Sequence, residues 1–219
     1  MRNTVTISRR AALGGAAALT VALGLAAAPA RTSDFSDGAG EFIKDLADNA
    51  IQAINARGLP LDQRIARFRA LFLEGFDVPT IARFVMGRAW ARATEEQRQT
   101  YLKAFEEVTL LTWALRFTEY AGETLKLNGT RAEGRVAFVD SRVVRPGRDP
   151  VRVEWRIERP RGAYKILDIA VEGSSMAVAQ RADYAAVLQQ SNGRVDGLIA
   201  ALNAKIDQLN QKARLLAGN

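Results

Sequence analysis

The chain has 219 residues, 31 basic against 24 acidic, a hydrophobic fraction of 48%, and neither Cys nor His. Those two absences exclude disulfides, the usual zinc sites, Cys–His nucleophiles and Ser–His–Asp triads. A chain lacking the commonest neutral-pH catalytic side chains points toward carrying or binding something rather than transforming it.

Residues 1–30 read as a cleavable export signal. Met1–Arg10 is basic, with Arg2, Arg9 and Arg10 and no acid; Ala11–Ala27 is apolar; Ala28-Pro29-Ala30 before Arg31 is an A-x-A cleavage site. Ser8-Arg9-Arg10 followed by Leu13 is similar to a twin-arginine signal, and an ordinary secretory signal fits the same residues. Without residues 1–30 the chain keeps 28 basic and 24 acidic residues, a net charge of +4. Such a weakly basic surface suits an anionic membrane or an acidic partner protein. No basic stripe interleaved with aromatics argues for nucleic acid. Residues 31–219 are expected to form one domain, large enough to be held by packing alone.

That domain reads as helices, then strands, then helices. Phe42, Ile43, Leu46, Ala47, Ala50, Ile51 and Ile54 recur at helical spacing until Gly58-Leu59-Pro60. A second helix carries Ile65, Phe68, Leu71 and Phe72 and ends at Gly75. Asp77 is placed to cap a third, with Pro79 in its first turn and Ile81, Phe84 and Val85 on its apolar side. Thr94-Glu95-Glu96-Gln97 is a capping box opening a long helix whose apolar side runs through Tyr101, Phe105, Val108, Leu111 and Leu115.

From Thr124 the period changes to two. Leu125 and Leu127 alternate with polar residues up to Asn128-Gly129, Arg135–Arg145 forms a second strand, and Pro146–Pro150 a turn. Val151, Val153, Trp155 and Ile157 then alternate with Arg152, Glu154, Arg156 and Glu158, as in a sheet with one dry and one wet face. Arg159–Gly162 turns into a fourth strand, Tyr164–Glu172. Ser174 or Ser175 caps the next helix, which contains Ala177, Tyr184, Ala185 and Leu188. After Gly193 a last helix carries Val195, Leu198, Ile199, Leu202, Ile206 and Leu209, with the tail beyond Gln211 expected to fray. The expected fold is α+β, an antiparallel four-stranded curved sheet covered by a helical layer.

Phe76-Asp77, Ile81-Ala82, Val85-Met86-Gly87, Trp90, Glu96-Gln97-Arg98 and Phe105, followed by Tyr164–Ile169, Glu172–Ser175 and Arg181, occur in an order that resembles the MlaC-type periplasmic phospholipid-binding proteins. These are also called the toluene-tolerance or auxiliary transport component family. The resemblance spans about residues 40–205. Tyr164 stands where Trp is common, Met86 where Leu is common, and Ala177–Gln180 is less apolar than usual. The resemblance implies a soluble periplasmic carrier, not an enzyme and without a cofactor. It would hold a phospholipid by its acyl tails in a pocket between sheet and helices. Exchange would be with an outer-membrane lipoprotein complex and an inner-membrane ABC transporter complex, in the service of outer-membrane lipid asymmetry.

For such a pocket the dry sheet face offers Val136, Phe138, Val151, Val153, Trp155, Ile157, Leu167, Ile169 and Val171, faced by Phe105, Leu111 and Leu115 of the long helix. Ala137, Val139 and Val143 are the alternate inward set of the second strand, and periodicity leaves both sets open. Each of these side chains equally suits an ordinary core. The arginines Arg142, Arg145, Arg148, Arg152, Arg156, Arg159 and Arg161 crowd the second and third strands; Arg145 and Arg148, in a turn, are the candidate headgroup or docking contacts. Arg181 sits on the apolar side of its helix, which suits either a buried pair with Asp168 or Asp77 or a place at the pocket mouth. Two rival readings remain: a small cone-shaped isomerase or dehydratase using Asp140, Tyr164 or Asp168, and a ligand-free structural protein of the envelope. A hopanoid- or sterol-like guest is also compatible with an apolar pocket.

Overall fold

The computed structural model describes residues 30–54, 58–117 and 122–217; the expected export segment, through residue 29, lies outside them. Helix α1 spans Ala30–Ile54, followed by α2 (Leu61–Gly75), α3 (Val78–Met86), the single turn α4 (Ala89–Arg92) and α5 (Glu95–Phe117). Strands β1 (Thr124–Glu133), β2 (Val136–Arg145), β3 (Arg148–Glu158), β4 (Lys165–Val171) and the two-residue β5 (Ser174–Ser175) follow, then α6 (Met176–Gln190) and α7 (Val195–Ala217). The strands pair antiparallel in the order β1-β2-β3-β4-β5. This is the expected α+β meander with a short fifth strand added at its edge.

Local chemistry accounts for most boundaries. The Asp77 carboxylate accepts from the Thr80 amide (3.1 Å) to start α3. The capping box forms in full, with the Gln97 amide donating to Thr94 Oγ1 (3.1 Å) and the Thr94 amide to Gln97 Oε1 (3.0 Å). Ser175, rather than Ser174, caps α6 by accepting from the Val178 amide (3.1 Å). Helix α1 begins earlier than the repeat from Phe42, because Phe35, Ala39 and Ile43 continue its sheet-facing stripe. Helix α7 runs on to Ala217 instead of fraying after Gln211, although Leu215 and Leu216 in its last turn are exposed.

The largest departure from the expected strands is at Asn128-Gly129. It is not a turn but a bulge inside β1, where the register shifts between Leu127 and Gly129. The chain reverses instead at Gly134, whose positive φ of 63° suits a residue without a Cβ.

Cross-strand register settles which side of the sheet is dry. Ala137 pairs with Ile157, Val139 with Trp155, Ser141 with Val153 and Val143 with Val151, so all eight share one face. Ala39 and Ile43 of α1 pack there against Ala137, Val139, Ile157 and Ile166. Val136 and Phe138, expected on the dry side, point the other way. Phe138 pairs with Arg156 and lies under the Arg131 guanidinium, 4.1 Å from its ring centre, beside the Arg131–Glu154 ion pair (2.8 Å). The physical reason is register: in a period-2 strand the bulky set and the small set occupy opposite faces, and α1 lies close against the small one.

A second core fills the helical body, where Phe68, Phe72, Val85, Tyr101, Phe105, Tyr184 and Leu198 pack together. Phe76 packs against both cores. The two bodies are fastened at β4. The Asp77 amide donates to Ile166 O (3.0 Å), and Lys165 Nζ donates to the carbonyls of Leu73 (3.0 Å) and Glu74 (2.5 Å) at the end of α2. A cation on the last carbonyls of a helix satisfies groups left without intrahelical partners and opposes the negative end of its dipole.

Candidate functional site

Between β4 and the helical body lies an apolar cleft. Phe72, Phe76, Val78 and Ile81 line it from α2, α3 and the residues joining them; Phe105, Thr109 and Trp113 from α5; Leu167, Asp168 and Ile169 from β4; and Met176, Ala177 and Gln180 from α6. Three consecutive β4 residues reach it because of a bulge. Arg156 pairs with Asp168 and Ile157 with Ile166, which leaves Leu167 as the extra residue. A bulge re-aims side chains that strict alternation would send to opposite faces. The helical wall is simpler: Phe105, Thr109 and Trp113 are successive turns of one stripe.

The cleft is small, about 60 Å3, and partly open to solvent. On its far side, Leu73, Phe76, Val78, Pro79, Gln99, Leu102, Lys103 and Glu106 line an outer groove of about 310 Å3 between α2, α3 and α5. Phe76 and Val78 belong to both walls, so these two side chains separate groove from cleft. The Phe76 backbone is held by its bridge to Ile166, and its ring stacks on Phe72 with centroids 4.7 Å apart.

The polar residues of the cleft are mostly committed. Asp168 Oδ2 accepts from Ser175 Oγ (2.5 Å), and Oδ1 accepts from the amides of Ala177 (3.0 Å) and Ile169 (2.9 Å). Gln180 Nε2 donates to the Tyr184 hydroxyl (3.2 Å). Thr109 Oγ1 is buried and has no hydrogen-bond partner among the described residues. The Tyr184 phenol is pushed well above its ordinary value, chiefly by burial.

Of the residues expected to line a pocket, Phe105, Leu167 and Ile169 meet in this cleft. Val153 and Ile157 are buried in the sheet; Val151, Trp155 and Val171 are half-buried on the same face, where Trp155 pairs with Ile169 and Val153 with Val171. None of these five lines the cleft. Leu111 and Leu115 are buried, 3% and 2% exposed, but are not in the cleft lining. Val136 and Phe138 lie on the opposite face. The periodicity of the sequence did not reveal Phe72, Phe76, Ile81, Met176 or Gln180 as cleft residues, because they come from three separate helices and a connection. The spacing of Phe105, Thr109 and Trp113 was a legible signal for α5.

The arginines divide. Arg145 donates through Nε and Nη2 to Asp149 O (3.3 and 2.8 Å), bracing its own turn. Arg148 opens β3 seven residues before Trp155, about 23 Å along an extended strand from the level of the cleft. Arg181 is exposed rather than in a buried pair with Asp168 or Asp77. Its guanidinium lies over the exposed Phe84 ring, 4.9 Å from the centroid, and beside Gly87. The other strand polar residues also have structural partners: the Tyr164 hydroxyl donates to Phe35 O (3.1 Å), and Asp140 lies 3.4 Å from Arg131 on the wet face.

No helix among the described residues is long and apolar enough to cross a membrane. The fold is similar to that of the phospholipid-binding protein from Ralstonia solanacearum, solved in complex with a phospholipid. The match has a TM-score of 0.70 and 25% identity over 78% of this chain and 98% of that one. The family model described as MlaC protein matches residues 44–204, from the latter part of α1 into the first half of α7, and takes in both walls of the cleft. This chain therefore belongs to the MlaC family.

Proposed function

We propose that the protein is a periplasmic carrier that takes phospholipid acyl tails between β4 and the helical body and moves lipid between outer- and inner-membrane complexes. The observation that supports this most directly is an apolar cleft, set between sheet and helices, in a fold shared with a protein solved with a phospholipid bound. A diacyl lipid has roughly 30 methylenes, each contributing about 0.8 kcal/mol on leaving water. Crossing an aqueous compartment unaccompanied would cost on the order of 20 kcal/mol, so such tails need a dry host.

The cleft at about 60 Å3 is smaller than the roughly 300–1,000 Å3 of a drug-sized site. Loading therefore requires α6 or the α2–α3 connection to move off β4. The half-buried strip of Val143, Val151, Trp155 and Val171 would cover the tails as they extend along the sheet. Equal affinity in every state would move nothing, so the membrane complexes must bias lipid affinity. Arg181 over Phe84, near the α6 wall, is the proposed docking contact for an acidic partner surface; Arg145 is less suited, being engaged by its own turn, and Arg148 lies far along the strand from the cleft. Export rests on residues 1–30, with cleavage near Arg31. Asp140, Tyr164 and Asp168 serve contacts of the fold in this reading, and no catalytic role is assigned to them.

The test is denaturing extraction and mass spectrometry of the purified protein. Diacyl phospholipid near one equivalent is expected. A folded sample free of lipid, and unable to take lipid from vesicles, would overturn the carrier reading.

A further inference from the structure

We infer that the Thr109 hydroxyl donates a hydrogen bond to an acyl ester carbonyl of the bound lipid, an assignment that rests on the carrier reading above. Thr109 stands at the centre of the Phe105–Thr109–Trp113 stripe on the helical wall of the cleft. A threonine within a helix ordinarily returns its hydroxyl to the carbonyl four residues earlier. Two others on α5 do so: Thr100 Oγ1 donates to Glu96 O (2.9 Å) and Thr112 Oγ1 to Val108 O (2.6 Å). Thr109 does not, and its oxygen is buried without any partner among the described residues. An unpaired buried hydroxyl is unfavourable, and one that persists at a cavity wall marks where a partner belongs.

The neighbouring polar groups do not supply that partner. Asp168 is engaged by Ser175, Ala177 and Ile169, and the Gln180 amide donates to Tyr184. The helical wall of the cleft thus holds a spare donor, covered over in this structure. Saturated hydrocarbon offers it nothing. A carboxylate or phosphate would bring negative charge into an apolar space already lined by Asp168, with no cation among the lining residues. A neutral ester carbonyl is an acceptor that fits both conditions, and it lies next to the acyl chains the walls would cover.

The experiment compares two phospholipids with the same headgroup and chain length, one a diester and one a diether, presented to purified protein stripped of its own lipid. The protein should bind the diester more tightly by about three- to tenfold, the range expected of one neutral hydrogen bond. Thr109→Val, nearly isosteric, should bind both at the diether level while keeping its fold by circular dichroism; Thr109→Ser should retain the preference. Equal affinities for diester and diether in the unaltered protein would overturn the assignment and leave the carrier reading standing. A diester preference that survives in Thr109→Val would also overturn it. Failure to bind either lipid would remove the carrier reading and this assignment together.

Discussion

Asp168 and Ser175 form a relay across the edge of the sheet. The Ser175 hydroxyl donates to Asp168 Oδ2 at 2.5 Å and accepts from the Val178 amide at 3.1 Å, while Asp168 Oδ1 takes the Ala177 amide. One strand carboxylate and one serine thus satisfy two of the free amides that begin α6, the helix forming one wall of the cleft.

Removing that relay should loosen α6 at its start. Asp168→Ala is expected to lower stability by about 1–3 kcal/mol in denaturant unfolding, since buried donors lose a charged acceptor. Hydrogen exchange should accelerate at Ala177 and Val178 while Tyr184 keeps its protection. Uniform acceleration along α6 would show that packing, not the relay, holds the helix.

Stability should fall at alkaline pH through two buried phenols. Tyr101 donates to Ala82 O (2.9 Å), and burial raises its pKa well above the ordinary value, with Tyr184 adding to the effect. Tyr184 is raised mainly by burial too, with Gln180 opposing and Asp183 adding. In the unfolded chain both phenols ionise near pH ~10, whereas the folded chain keeps its protons, so the unfolded state binds fewer protons above that pH. Their contribution is complete below about pH 10 and declines by up to about 1.4 kcal/mol per pH unit for each phenol above it. A Tyr101→Phe/Tyr184→Phe variant should have a flatter stability profile than the unaltered protein over that range.

Phe76 is the partition between cleft and outer groove, and Phe76→Ala should join them. Loss of a half-buried aromatic should destabilise the protein by about 2–4 kcal/mol. The variant should bind more of an environment-sensitive apolar dye than Phe76→Leu, which keeps most of the bulk. Equal dye binding by the two variants would place the partition elsewhere.

Tyr164 limits what α1 can carry at Gly38. A Cβ at residue 38 would strike the Tyr164 hydroxyl, whose ring is stacked with both Phe35 and Phe42. Overpacking of about 1–3 kcal/mol then outweighs the gain of about 1 kcal/mol from replacing a helical glycine by alanine. Gly38→Ala should therefore lower the melting temperature, and should do so less in a Tyr164→Phe background, where the clashing oxygen is gone.

The two sheet faces should respond differently to truncation. Ile157 is fully buried against α1, so Ile157→Ala should lose about 2–5 kcal/mol. Phe138, half-buried under Arg131 on the wet face, should lose about 1–2 kcal/mol on change to Ala, a smaller cavity term. Comparable losses would contradict the assigned register.

Much of this architecture was already written in the chain. Alternation from Val151 to Glu158 specifies a half-buried strand because side chains on a pleated backbone point alternately to two sides. The capping box at Thr94, the Asp77 cap and the short links after β2 and β3 likewise follow from local backbone chemistry, which needs no distant partner. The absence of Cys and His excludes whole classes of chemistry regardless of geometry. What tertiary structure alone decided is which face each strand turns inward and where the cavity lies. Phe138 looked as suitable as Val139 until pairing with Arg156 and the approach of α1 separated them, since a shift of one residue reverses a strand. The cleft draws on α2, α3, α5, α6 and a bulged stretch of β4. Contacts between segments so far apart in sequence have no local periodicity, so only the folded chain brings Phe76, Thr109 and Asp168 to one place.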